Sequence, residues 1–370
     1  GPAEALRLAR MFTQSVRAFG NERFGGEGGP LLLAGNAMHT DLGPDRAGGA
    51  LFGWMLSMLG QDVGFPVPEG GAGRITDALV RRLEERGGRV ECGRRVRRVL
   101  IANGRAVGVR DTDGTDVRAG RGVLADVPAP ALYRELVGVA HLPTRMVADL
   151  DNFQWDDATV KVDWALNGPV PWAVAEAVGA GTVHLGGDVD ELAGASNDLA
   201  CGRDPDDPFL LIGQMTTADP SRSPAGTESL WAYTHVPRGQ DWPADRVRRV
   251  ADRMELAIER HAPGFRERII GRVVVGPADF ERHNPSLVEG AINAGTSALH
   301  QQLVFRPVVG LARADTPIDR LYLAGASAHP GGGVHGAPGA NAARAALARN
   351  GAGGGLYRRA VRAGFRLLTR

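Results

Sequence analysis

Disulfides and metal sites have almost no candidate residues in this chain. Only two cysteines occur among 370 residues, Cys92 and Cys201, and no C-x-x-C spacing is present. Isolated cysteines are typical of a reducing compartment and argue against a disulfide framework. The nine histidines form no H-E-x-x-H motif, so nothing indicates a zinc site on a helix. We therefore predict no metal.

Long apolar runs and excess charge are also missing. No stretch approaches the roughly 20 uninterrupted apolar residues that cross a bilayer. The formal net charge is +1, which gives no case for a nucleic-acid partner. No signal peptide is visible, and we predict a cytoplasmic protein. Lys161 is the only lysine; the arginine-rich composition is typical of codon bias, of a bacterial type.

Hydrolase and nucleotide-binding motifs are absent as well. The segment 325–329 reads G-A-S-A-H rather than G-x-S-x-G, which argues against a hydrolase nucleophile elbow. No Walker A motif occurs. The acidic segment 204–208 is interrupted by prolines, which favours a loop over a calcium site.

The most informative stretch is 321–349. An apolar strand, 321–324, ends at Gly325, and small residues and prolines follow. An alanine-rich helix then starts near Pro338 or Gly339. Glycines let backbone approach a ligand closely, and a helix N-terminus presents unpaired N–H groups to negative charge. This order predicts an anion-binding device; the alternative is a glycine-rich surface turn.

Residues 331–336 match G-x-G-x-x-G, but not in the context of a dinucleotide fingerprint. That fingerprint follows its strand directly and opens a βαβ unit with an acidic residue about 20 positions later. Here several residues separate Ala324 from Gly331, and a glycine run and a basic tail follow Arg349. We therefore assign the segment another role.

Four segments together carry a family resemblance. They are a Pro-x-Gly-Gly turn at 65–73, alternating strand patterns at 96–126, the sequence QLVFRP at 302–307, and the glycine-rich segment 320–347. In this order they resemble the phytoene desaturase-related flavoprotein oxidoreductases, which include carotenoid desaturases and isomerases. The family also begins with a Rossmann G-x-G-x-x-G that this sequence does not show. We expect the chain to lack that N-terminal unit, a βαβ of about 30 residues.

The resemblance implies an FAD-dependent oxidoreductase of desaturase or dehydrogenase type. Its substrate would be small and lipophilic, such as a polyene or isoprenoid, while the electron acceptor stays open. Two alternatives remain. One is a flavin-dependent isomerase of the carotenoid type. The other is a non-catalytic fragment or scaffold that has lost the dinucleotide site.

The resemblance also implies a fold of mixed α/β and α+β class. We expect an FAD-binding domain of the glutathione-reductase or amine-oxidase type and a substrate domain made of an antiparallel sheet and helices. The predicted division is 1–60, helical part of the substrate domain; 61–128, FAD-binding helix and β-meander; 129–270, substrate domain; 271–350, C-terminal flavin motif; 351–370, basic amphipathic tail.

Periodicity predicts most of the elements. A helix at 74–86 has an apolar face, Ile75, Ala78, Leu79 and Leu83. A second helix follows Pro243. Expected strands are 89–92, 96–102, 106–111, 116–119, 122–125, 158–166, 182–187, 209–217 and 228–236. We expect 268–276 to return the chain to the flavin domain. The apolar segment 51–59 predicts a buried core helix; the alternative is the lining of a lipophilic tunnel.

The resemblance places the cofactor contacts. The predicted FAD-binding residues are Gly71, Val96, Gly325, Ala326, Gly331, Gly332, Gly333, Val334, His335 and Gly336. The backbone at Val96 would meet the adenine edge, unless Val96 is an ordinary core valine. A helix dipole and N–H donors near the flavin ring would stabilise its reduced, negatively charged form.

No catalytic side chain stands out, and three candidates are considered. His329 and His335 flank the triple glycine and could relay a proton near the ring; for each, the alternative is a structural histidine that caps the turn. Lys161 lies on a predicted strand and could face the substrate pocket.

The tail 356–370 has an apolar and a basic face. The basic face comprises Arg358, Arg359, Arg362, Arg366 and Arg370. Such a helix suits peripheral contact with an anionic membrane surface. The alternative is a tail that packs on its own domain.

Overall fold

The computed structural model describes residues 1–62 and 64–368. Its α-helices are α1 (Pro2–Thr13), α2 (Val16–Arg23), α3 (Gly28–Ala37), α4 (Gly49–Asp62), α5 (Gly73–Glu84), α6 (Thr144–Asp151), α7 (Val189–Ala200), α8 (Met215–Ala218), α9 (Ala244–His261), α10 (Pro277–His283), α11 (Ala337–Asn350) and α12 (Gly354–Leu368). Its strands are β1 (Val96–Ala102), β2 (Arg105–Asp111), β3 (Asp116–Arg118), β4 (Val123–Ala125), β5 (Ala158–Leu166), β6 (Thr182–Leu185), β7 (Leu210–Gln214), β8 (Glu228–Val236), β9 (Ile269–Val275) and β10 (Leu321–Leu323). Among these helices, none has the length and apolar character that a bilayer crossing requires.

The chain forms two compact units. Unit 1 comprises Gly1–Val90 and Asp157–Ile292, and unit 2 comprises Glu91–Asp156 and the chain from Asn293 onward. The boundaries between these units differ from the predicted divisions after residues 60, 128 and 270. The difference arises because α5 groups with the first helices, and because Leu132 and Met146 pack into the core of unit 2.

A five-stranded antiparallel sheet forms the centre of unit 1, in the order β6-β7-β8-β5-β9. Alternate residues of β5 and β8 point to one face, where they pack against α9 in one apolar core. The predicted bounds of β5 and β8 agree with the structure, because their alternation of apolar and polar residues is regular. β6 and β7 end earlier than predicted.

The prediction for 268–276 is wrong. Instead of returning the chain to unit 2, β9 pairs with β5 and extends the sheet of unit 1. The segment is β-branched as expected, and its exposed residues Ile270 and Val273 lie on an edge strand. Hydrophobic content alone does not distinguish an edge strand from a connecting strand.

The segment 51–59 agrees with its prediction only in part. This segment is helical, within α4, but Trp54, Met55, Met58 and Leu59 are all exposed. The core interpretation is therefore wrong for these side chains. The residues of α4 that are buried are Gly49, Ala50 and Gly53. Similarly, α5 forms as predicted, but it contributes no buried residue.

Two histidines connect the helices of unit 1 to the sheet. The Nε2 atoms of His39, which follows α3, and His184, on β6, lie 2.6 Å apart. One imidazole donates and the other accepts, so the pair is compatible with neutral rings. Burial lowers the pKa of His39 to about 3, with a further effect from the charges of His184 and His235. Burial lowers the pKa of His184 to about 4.

These shifts predict acid sensitivity. In the unfolded chain both imidazoles take up a proton near pH 6.5, whereas in the folded state they stay neutral far below that pH. The contribution of these two neutral histidines to the free energy of unfolding is therefore complete above about pH 6.5. As the pH drops toward 4 the free energy of unfolding falls, by a few kcal/mol at about pH 5. We expect His39→Phe to reduce the pH dependence of the urea unfolding midpoint. The matched variant His141→Phe, at an exposed histidine, should leave that pH dependence unchanged. If the two variants changed the pH dependence equally, the buried His39–His184 pair would not be its source.

Unit 2 contains the meander and a parallel strand pair. β1, β2 and β3 form an antiparallel sheet, and Asn103 and Gly104 both have positive φ in the β1–β2 turn, as the Asn-Gly signal predicts. β4 leaves the meander and pairs in parallel with β10. The predicted strand at 89–92 does not form; in the structure this segment is irregular.

The tail helix α12 packs on unit 2. Phe365 is buried in the main core of this unit, where Val361 also packs, and Tyr357 packs on a smaller cluster around Tyr322. The packed-tail alternative therefore describes these three residues. Leu356 and Leu367 remain exposed, whereas Arg370 and the side chain of Leu368 lie outside the described part of the chain.

Candidate functional site

The parallel pair of strands positions the glycine-rich segment. Leu321, Tyr322 and Leu323 form β10 and are all buried, and each pairs with a residue of β4. Two residues further along the chain, Gly325 lies against the end of β4. A Cβ at Gly325 would be 2.6 Å from Asp126 Oδ1 and 3.1 Å from the backbone nitrogen of Val127, so a larger residue here would force Asp126 to move and would bring the two segments closer than they pack comfortably.

The segment 331–336 forms an open loop with unusual backbone geometry. Gly331 and Gly333 have φ angles of 116° and 150°, which L-amino acids with a side chain rarely adopt. Gly331 is buried, whereas the residues from Gly332 to Gly336 are exposed. Val334 is 95 % exposed. Apart from Val334 and His335, the exposed surface of the loop is therefore backbone.

The N-terminus of α11 offers fewer donors than the sequence indicates. The N–H of Ala337 donates to Nδ1 of His335 at 3.0 Å, and Pro338 has no N–H. His335 thus caps the helix, which is the structural alternative considered for this residue. The helix dipole still points toward the loop.

A buried arginine braces the glycine loop, that is, it holds the start of the glycine-rich segment by hydrogen bonds to backbone carbonyls. Arg306 is 1 % exposed. Its guanidinium donates to the backbone carbonyls of Ala326 at 2.8 Å, Thr296 at 2.9 Å and Asn293 at 3.2 Å. The arginine therefore ties the start of the glycine-rich segment to the chain at 293–296.

Further polar contacts fix the same two segments. The carboxylate of Asp156 accepts from the N–H groups of Asn293 and Gly295 at 2.8 and 3.0 Å. The hydroxyl of Ser327 donates to Ala294 O at 2.7 Å and accepts from Ala129 N. Sequence reasoning missed Asp156, Asn293 and Ser327. A charged Arg306 within an otherwise apolar segment was the one visible signal.

Two polar atoms beside the loop are buried without a hydrogen-bond partner among the described residues. They are Nδ2 of Asn293 and Nδ1 of His329. A Cβ at Gly332 would lie 3.2 Å from Asn293 Oδ1, so the amide lies directly against the glycine run. Burial, and then the charge of Arg306, lower the pKa of His329, which favours a neutral imidazole.

These features fit a flavin. Buried polar atoms without partners cost free energy unless a ligand supplies the missing hydrogen bonds. The ring of a flavin has carbonyl and nitrogen acceptors at one edge, and the glycines leave room for it to approach. The residues present in unit 2 are therefore suited to hold the flavin part of FAD.

The other predicted site residues have different surroundings. Val96 begins β1 in unit 2 and is 36 % exposed, so it is not a core valine. Gly71 and Lys161 belong to unit 1. A Cβ at Gly71 would clash with the guanidinium of Arg222, and Lys161 forms an ion pair with Asp163. The roles of all predicted contacts stay predictions.

Unit 1 presents an aromatic surface on the sheet face opposite α9. Trp231 and Tyr233 are partly exposed on β8, and their rings stack with centroids 6.0 Å apart and planes at 7°. His235 meets Tyr233 edge to face. Lys161 and Tyr233 are cross-strand neighbours. Flat apolar molecules bind favourably to such a surface.

Comparison with known proteins relates the chain to flavin-dependent oxidoreductases. The profile of the family described as "Flavin containing amine oxidoreductase" matches residues 4–199. Pyridine nucleotide-disulfide oxidoreductase domain-containing protein 2 of Mus musculus is 30 % identical over 304 residues, covering 78 % of this chain and 52 % of the relative. A phytoene desaturase (neurosporene-forming) of Rhodobacter capsulatus is 26 % identical over 320 residues, covering 82 % and 56 %. The chain thus spans about half the length of these curated relatives.

Solved structures confirm the predicted fold class. An oxidoreductase from Methanosarcina mazei aligns with a TM-score of 0.57 at 18 % identity, over 90 % of this chain and 68 % of that protein. Putrescine oxidase aligns with a TM-score of 0.56 at 16 % identity, over 92 % and 68 %. The family profile covers more than half of the chain. The chain therefore belongs to the flavin-containing amine oxidoreductases, a family of FAD-dependent oxidoreductases.

Proposed function

We propose that the protein uses FAD to exchange a hydride with a small lipophilic, unsaturated substrate, as a desaturase or dehydrogenase does. The observation that carries the proposal is the braced glycine loop with its two buried polar atoms, Asn293 Nδ2 and His329 Nδ1. The similarity to phytoene desaturases supports the choice of substrate class.

Each part of unit 2 has a definable task in holding FAD. When bound, FAD supplies the hydride acceptor or donor. The backbone at Gly331, Gly332 and Gly333 leaves space for the ring. Arg306 places a buried positive charge behind the loop, which favours the negative charge of a reduced flavin. His329, as a neutral imidazole, can accept or donate a hydrogen bond without adding charge.

The aromatic surface of unit 1 supports a lipophilic substrate. Trp231 and Tyr233 offer a stacked, largely apolar platform, and the Lys161–Asp163 ion pair lies on the same sheet face. Because the ammonium is paired, Lys161 is better suited to a structural role on this surface than to catalysis.

Peripheral contact of 356–370 with an anionic membrane is a further proposal. Leu356 and Leu367 are exposed, together with Arg359, Arg362 and Arg366. Because Tyr357, Val361 and Phe365 pack inward, the apolar face left for lipid is small. We expect weak binding that is lost at high salt.

A product analysis tests the proposed reaction. The chain is loaded with FAD and incubated with a phytoene-type polyene and a quinone or oxygen as electron acceptor. Chromatography with absorbance and mass detection should show products that have lost hydrogen and gained conjugated double bonds. Geometric isomers of unchanged mass would instead support a flavin-dependent isomerase. Unchanged polyenes, tested across chain lengths, would support the non-catalytic alternative.

A further inference from the structure

We propose that the side-chain amide of Asn293 hydrogen-bonds to the polar edge of the flavin ring and thereby tunes its redox potential. The inference rests on the proposed function, because it takes the glycine loop to be the flavin site. It assigns to Asn293 a cofactor contact that the sequence does not indicate.

The backbone of Asn293 is held from two sides. Its N–H donates to the carboxylate of Asp156 at 2.8 Å, and its carbonyl accepts from Arg306 at 3.2 Å. Asp156 and Arg306 are each 1 % exposed. The backbone of Asn293 is therefore held in place before any ligand binds, which reduces the entropy lost on binding.

The amide itself is buried but incompletely used. Nδ2 is inaccessible to solvent and has no hydrogen-bond partner among the described residues. Buried amide donors are nearly always satisfied, because leaving such a hydrogen bond unmade is energetically costly. A ligand with an acceptor at this place would recover that free energy.

The Asn293 side chain lies beside the glycine loop, which links it to the proposed flavin site. Asn293 Oδ1 lies 3.2 Å from where a Cβ of Gly332 would be, and Asn293 O lies 3.4 Å from the same point. The amide is thus adjacent to the glycine run that leaves room for a flat ring. A carbonyl or ring nitrogen of the flavin can accept from Nδ2, and this acceptor becomes more negative when the ring is reduced. The donor therefore stabilises the reduced form more than the oxidised form.

Two substitutions test the contact. Asn293→Ala removes the amide, and Asn293→Asp keeps its shape but replaces the donor by a carboxylate. Asn152→Ala is the matched control, because the Asn152 amide in the same unit donates to Ala148 O at 3.2 Å, away from the loop. Circular dichroism and unfolding midpoints establish that each variant folds; Asn293→Asp, being isosteric, keeps the test available if the alanine variant does not fold.

The measurements are FAD affinity, by flavin fluorescence, and the midpoint potential of bound FAD, by spectroelectrochemistry. We expect Asn293→Ala to weaken FAD binding about tenfold. We expect its potential to fall, by about 30 mV for each tenfold loss of preference for the reduced form. Asn293→Asp should lower the potential further, because a negative charge opposes reduction. The control should match the wild type in both properties.

Each contrary result has a distinct meaning. Variants with wild-type affinity and potential would contradict the inference while leaving the proposed function intact. Weaker binding at an unchanged potential would contradict contact with the ring, since contact with the ribityl or phosphate groups leaves the ring electronics unaltered. A wild-type chain that binds no FAD would contradict the proposed function, and the inference with it.

Discussion

Replacing Arg306 by methionine is expected to cost about 3 kcal/mol or more of the free energy of unfolding. The guanidinium donates to backbone carbonyls of Ala326, Thr296 and Asn293, all behind the glycine loop. Methionine fills a similar volume but donates no hydrogen bond, so several buried carbonyls lose their partner at about 1–3 kcal/mol each. Urea denaturation measures the loss, and FAD affinity should fall with it because the loop is no longer braced.

The control for this effect is Arg344→Met. Arg344 lies on α11 in the same unit, is exposed, and donates to Asn341. Exposed polar contacts of this kind contribute within about 0.5 kcal/mol. If Arg306→Met unfolded at the same urea concentration as Arg344→Met, the brace would have no energetic importance and the structural role given to Arg306 would be wrong.

Gly331→Ala is expected to disable the cofactor loop. Gly331 has a φ angle of 116° and is buried, and its added Cβ would lie 3.5 Å from the Arg306 guanidinium. Space is thus sufficient, but the backbone conformation is strained for alanine, at about 1–3 kcal/mol. Relief of that strain would move the loop, so we expect FAD affinity to fall at least about tenfold. Fluorescence titration with FAD measures it.

Gly353→Ala serves as the matched control. An added methyl group at Gly353 meets nothing within 4 Å, and this residue precedes α12 in the same unit. Its FAD affinity should equal that of the wild type. Equal affinities of Gly331→Ala and wild type would show that the loop does not need its positive φ angle to hold the ligand.

Local patterns were sufficient to predict much of the fold. β5 and β8 have their predicted bounds because a half-covered strand alternates apolar and polar residues. The β1–β2 turn follows from Asn103-Gly104, and the loop at 331–336 from its glycine density. These features depend on neighbours in sequence, which one sequence displays directly.

Long-range contacts were not predictable in the same way. Arg306, Asp156 and Asn293 meet only in the folded chain, and nothing in their local sequence marks them as partners. Likewise, the apolar sequence of α4 does not show whether a neighbouring element covers it. The sequence therefore predicts a core position for Trp54 and Met58, and the structure shows both side chains exposed. The pairing of β9 with β5 was missed for the same reason.

The most direct test of the cofactor site is the retention of flavin by the purified chain. The protein is incubated with excess FAD and desalted, and its visible absorbance is compared with its protein concentration, alongside Gly331→Ala. We predict that the wild-type chain retains flavin and that the variant loses most of it. A wild-type chain that emerges colourless would contradict the assignment of the braced glycine loop as the FAD site.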